Sequence, residues 1–173
     1  MSDAIDSRHL TVDAGGKMKL HLEWTRPISL KDGSRQNLIY SVDKSKLPKI
    51  AGIYVFGRRY GSDFEALYVG KAGDIRGRIG QQLERVPLMK HLQKAKNGKR
   101  IVLAGRFVPL PGQQEPKCLK LIERALIRYF LSEGHDLVNK QGTRLRRHEI
   151  TSKGKHPKKF IPSPMFLDRG KGE

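Results

Sequence analysis

Acidic residues are scarce in this chain. Its 17 Asp and Glu stand against 35 Lys and Arg, a formal net charge of +18. That imbalance points to a polyanionic partner, because each cation that pairs with a phosphate releases condensed counterions. Cysteine is scarcer still: the single Cys118 excludes an internal disulfide and fits a reducing compartment. It falls among apolar helical positions, as a small core residue does. The six histidines are scattered, and no Cys/His group has zinc-ligand spacing. No apolar run approaches membrane length and none lies near the N-terminus, so the expectation is a cytoplasmic protein with no membrane partner. What remains is an ordinary globular composition, 37% apolar over 173 residues, which suits one domain with appended segments.

Three stretches follow from pattern. Residues 1–50 read as a β-rich N-terminal extension. It has a frayed start to about residue 16, a period-two run Met18, Leu20, Leu22, Trp24, a turn at Asp32-Gly33 and a strand from Asn37 to Val42. Residues 51–143 carry two short apolar-aromatic strands, Ala51 to Phe56 and Ala66 to Val69, joined by a polar loop from Gly57 to Phe64. Asp74 N-caps a helix to about Arg85 with Ile75, Ile79 and Leu83 as its buried stripe. Pro87 opens a second helix ending near Asn97-Gly98, and Ile101 to Val108 is a third strand.

The clearest helix runs from Lys117 to Ser132. Its apolar set is Cys118, Leu119, Leu121, Ile122, Ala125, Leu126, Tyr129 and Phe130, opposite Lys117, Lys120, Arg124 and Arg128. Residues 144–173 form a basic tail with 9 Lys and Arg against 3 acidic residues. It is expected to pack partly through Phe160, Ile161, Met165 and Phe166.

Several polar residues sit where a core is expected. Strand alternation lets Ile53 and Val55 face one side while Tyr54 faces the other, with Tyr68 flanked the same way. A hairpin would put both phenols on one face; the plainer alternative is two ordinary strand tyrosines. The turn Gly70-Lys71-Ala72-Gly73-Asp74 leads into a helix N-terminus, where backbone amides favour anions. Arg78, Gln82 and Arg85 recur along that helix, either as solvated polar residues or as a phosphate-facing stripe. Glu123 lies inside the apolar arc of the long helix. A carboxylate there requires a cation, a metal or a hydrogen-bond donor, and a salt bridge to a nearby arginine satisfies that as well as Mg²⁺ does.

The ordered set resembles the GIY-YIG nuclease superfamily across about residues 51 to 140. Gly52-Ile53-Tyr54 is similar to the first motif, and Tyr68-Val69-Gly70 with the run on to Arg78 to the second. Leu121 to Ile127 resembles the helix carrying the metal-binding glutamate, and Leu137-Val138-Asn139 the late asparagine element. The resemblance implies an α/β fold of the α+β kind, with a small central antiparallel β-sheet flanked by helices. It also implies divalent-metal-dependent cleavage of a nucleic acid backbone.

On that resemblance Tyr54 is the general base or water activator, and Tyr68 positions phosphate or water. Lys71 and Arg78 bind phosphate, Glu123 holds Mg²⁺ or Mn²⁺, and Asn139 supports the site; Arg85, on the same helix stripe as Arg78, is a further phosphate-binding candidate. Many members carry His or Tyr one turn after the arginine; here it is Gln82, which cannot take a proton. Tyr54 as base then needs its pKa lowered by Lys71 or the metal, with His91 as a spatial substitute.

The resulting expectation is a compact restriction- or defence-type DNA endonuclease that pairs as a homodimer on its substrate. The alternative is a catalytically inactive module binding DNA or RNA on the same fold.

Overall fold

The structure, a computed structural model, describes residues 19–139, 146–155, 157 and 165–169. In chain order the elements begin with β1 (His21–Trp24), β2 (Ile28–Ser29), β3 (Lys31–Asp32) and β4 (Tyr40–Ser41). Then come β5 (Gly52–Tyr60), β6 (Asp63–Ala72), α1 (Ile75–Leu83), α2 (Val86–Lys94), β7 (Lys99–Val108) and α3 (Glu115–Ser132). The strands β8 (Arg146–Ile150) and β9 (Met165–Arg169) pair antiparallel in the stretch read as a tail. The frayed start, Met18, Phe160 and Ile161 lie outside the described residues.

The protein is a mixed α/β structure built on an antiparallel sheet. Its order is β1-β7-β5-β6, with β2 joining β1 along the far edge of β7. The N-terminal strands therefore lengthen the central sheet, while β3 and β4 pair separately. Strand alternation then sorts the core into two layers. Tyr54, Phe56, Leu67, Val102 and Ala104 pack with Ile75, Ile79 and Leu83 of α1 and Leu88, Met89 and Leu92 of α2. Ile53, Val55, Ala66, Val69 and Phe107 pack with Cys118, Leu119, Ile122, Ile127 and Leu131 of α3. Helices thus cover both faces, and β5, paired on both edges, is the most protected strand.

The region from Gly57 to Phe64 is not the loop its polarity suggested. Both strands run on, and the chain reverses at Gly61, whose φ of 60° suits a residue without a side chain. Arg58 makes this possible. Its guanidinium pairs with Glu65, donates to the Asn97 carbonyl at 2.6 Å and lies 4.2 Å over the Tyr60 ring. Local polarity cannot reveal a partner 39 residues away.

One irregularity shapes the sheet. Phe56 pairs with Tyr68 but Gly57 pairs with Ala66, so Leu67 is an extra residue in β6. The bulge lets both Leu67 and Tyr68 turn toward α1 and α2. On α3 the buried stripe is rotated from the expected arc. Ile127 and Leu131 are buried, whereas Leu121 and Tyr129 are 45% and 57% exposed. The helix ends follow local chemistry: Asp74 accepts from the Gly77 amide at 3.2 Å, and Pro87 sits in the first turn of α2. Helix α2 stops at Lys94, before the expected Asn97-Gly98. There the Arg100 guanidinium donates to the carbonyls of Leu92, Gln93, Ala95, Lys96 and Gly98. It satisfies acceptors that a helix end leaves open.

Candidate active site

The two tyrosines meet on the α1/α2 face, as the hairpin requires. Their rings stack with centroids 6.1 Å apart and 25° between planes. Phe56 meets Tyr54 edge-on at 5.9 Å. Gly70 pairs with Tyr54 across the strands, and a Cβ built there would fall 2.4 Å from both the ring Cζ and the Oη. The phenol lies over the space a side chain would fill. The glycine is required by that close approach.

Gln82 stands beside the first tyrosine. It is 5% exposed and belongs to the buried side of α1, whereas Arg78 and Arg85 are exposed. Its Nε2 donates to Tyr54 Oη at 3.0 Å, and its Oε1 accepts from Arg85 Nη1 at 3.1 Å. Tyr54 is 1% exposed. Burial pushes its pKa well above the ordinary tyrosine range, and the Tyr68 phenol beside it adds to this. Gln82 and the Arg78 charge act in the opposite direction without overcoming burial.

The expectation that Lys71 lowers this pKa is not met. Lys71 pairs with Ile53 and points with it to the α3 face, where its Nζ lies 3.7 Å from Glu123 Oε2. Glu123 thus pairs with a lysine on β6 instead of an arginine. It stands half-buried in the stripe formed by Leu119, Ile127 and Leu131. The tyrosine group and the Lys71–Glu123 pair flank β6 from opposite faces. Arg78 donates to Gln81 Oε1 at 3.1 Å.

Among the described residues His91 Nε2 is buried without a hydrogen-bond partner, and the residue lines a cleft of about 450 Å³ with Glu65, Leu67, Lys94 and Asp136. Asn139 acts on the backbone of the site. Its Oδ1 accepts from the Val69 amide at 3.1 Å and its Nδ2 donates to the Val69 carbonyl at 2.5 Å. Two neighbours extend this cover of the β6 edge: Val138 N–H donates to the Leu67 carbonyl, and the Ala66 amide donates to His135 Nδ1 at 2.7 Å. His135 escaped sequence reasoning, as did Lys44, whose Nζ lies 3.4 Å from where a Cβ on Gly80 would stand. Neither carries a local motif.

Among the described residues no cluster of three or more His, Cys, Asp or Glu is arranged to hold a metal. Glu123 offers one partly exposed carboxylate. That suits Mg²⁺, which keeps much of its water and is commonly held by one or two carboxylates together with substrate phosphate. Comparison with protein-family models, curated proteins and solved structures gave no match to this chain.

Proposed function

We propose that the protein is a divalent-metal-dependent endonuclease of the GIY-YIG type that hydrolyses phosphodiester bonds in DNA. The observation that carries this is the stacked pair Tyr54 and Tyr68 over Gly70, joined by Gln82 and lying within electrostatic reach of Arg78. Two stacked phenols within the electrostatic reach of an exposed guanidinium can orient a water and stabilise charge building on a phosphate. Tyr68 is half-buried and Tyr54 is not accessible, so Tyr68 is the phenol that meets water or phosphate. Tyr54 stands behind it, stacked on its ring and held by the Gln82 amide.

Glu123 is the ligand for Mg²⁺ or Mn²⁺, which when bound supplies charge neutralisation at the phosphate and lowers the pKa of an attacking water. Lys71, beside this carboxylate, would contact the phosphate if a metal were held there. The net charge of +18 supplies affinity for the backbone. A homodimer places one site on each strand of the duplex.

A second reading, an inactive nucleic-acid-binding module, draws support from the raised Tyr54 pKa and from the separation of the tyrosines and Glu123 across β6. Supercoiled plasmid incubated with Mg²⁺ or Mn²⁺ separates the two. Chelator-sensitive nicking or linearisation is expected of the nuclease; DNA binding without cleavage under either metal supports the module.

A further inference from the structure

We infer that Arg85 is a positioning residue for Tyr54, acting through Gln82. It fixes which end of the buried amide faces the phenol, and so the direction of the phenol's proton. A glutamine amide is nearly symmetric in shape, and a half-turn exchanges donor for acceptor. Shape alone does not choose between the two. Arg85 does, because a guanidinium only donates. With its Nη1 at 3.1 Å, the near end must be Oε1, and the far end facing Tyr54 Oη at 3.0 Å must be the NH₂.

The phenol oxygen then accepts from Gln82, so its own proton must point away from the amide. A reversed amide would accept that proton itself and set its carbonyl against any negative charge on Tyr54. Gln82 is 5% exposed, so water offers little substitute for either bond. The Arg85 backbone is held as well: its N–H donates to the Gln82 carbonyl and its carbonyl accepts from Met89, both at 3.0 Å. The junction of α1 and α2 therefore delivers the guanidinium to the amide.

The hydrogen-bond direction stands apart from the reaction, whereas its effect on turnover rests on the nuclease reading. Both are tested with protein carrying ¹³Cζ-tyrosine, the Tyr54 resonance being assigned by its loss in Tyr54→Phe. Arg85→Met and Gln82→Leu should each move that resonance, and the double variant should move it no further than Gln82→Leu alone. Arg85→Lys, which keeps one donor, should return it part of the way. A Tyr54 resonance unmoved in Arg85→Met overturns the inference, whatever the protein does to DNA.

In plasmid cleavage Arg85→Met should lower turnover by more than tenfold while DNA affinity stays within about twofold. The opposite result would be weakened binding with a salt slope shallower by about one contact and turnover retained. It would make Arg85 a phosphate contact only.

Discussion

Replacing Asn139 tests how the edge of β6 is held beside Tyr68. The side chain makes both bonds of one backbone unit, accepting from the Val69 N–H at 3.1 Å and donating to the Val69 carbonyl at 2.5 Å. Val69 itself is 0% exposed. In Asn139→Ala an amide and a carbonyl lose their partners together. Each unsatisfied group costs about 1–3 kcal/mol, so the expected loss is about 2–6 kcal/mol. For a domain whose total stability is about 5–15 kcal/mol that is a large share. With a urea m-value of about 2 kcal/mol/M, the midpoint should fall by about 1–3 M at unchanged m. Asn139→Asp retains the acceptor but sets a second oxygen against the carbonyl, so it should not recover the loss. Equilibrium urea unfolding followed by circular dichroism measures both. A change below about 0.5 kcal/mol in Asn139→Ala would mean that the edge is held by something else.

Gly70→Ala should destabilise by about 1–3 kcal/mol and lower any cleavage activity, because the new methyl would fall 2.4 Å from the Tyr54 phenol; a variant with wild-type melting temperature would show that the ring has room to move. Arg100→Ala should cost about 2–4 kcal/mol by freeing the carbonyls at the end of α2; amide exchange should quicken first in residues 92–96, and unchanged protection there would refute the capping role. Tyr54, facing Tyr68, Gln82 and Arg78, has its folded pKa raised above the ordinary 10.0, so its contribution is fully present at neutral pH and fades as the unfolded chain ionises above about pH 10. Between pH 9 and 11 the wild type should therefore lose more stability than Tyr54→Phe, and equal losses would contradict a raised pKa. If a Tyr54 phenolate is the base, cleavage should rise about tenfold per pH unit from 6 to 9 without a plateau.

Features set by neighbouring residues were legible in the chain. Alternation placed Ile53 and Val55 opposite Tyr54. Asp74 and Pro87 announced two helix starts through caps that depend on three or four residues. Features that depend on distant partners were not legible. Gln82 falls in a polar stripe beside the buried one, and its local pattern does not show that it donates to a phenol 28 residues earlier. Glu123 was recognisable as an anomaly, but its partner Lys71 becomes visible only once β6 lies against α3. The rotation of α3 has the same origin, since an amphipathic pattern broad enough to include Leu121 and Tyr129 leaves the packing partner to select the buried side.

The central claim is that a metal held at Glu123 and the tyrosine pair across β6 serve one reaction. Its most direct test is the single-turnover cleavage rate of plasmid DNA in Mn²⁺ by Glu123→Ala, set against the wild type with DNA affinity measured on the same preparations. The account expects the wild type to cut, and the variant to lose at least a hundredfold in rate, about 2.7 kcal/mol of barrier, with affinity nearly unchanged. Equal rates in the two proteins, or no cleavage by the wild type while it binds DNA tightly, would contradict it.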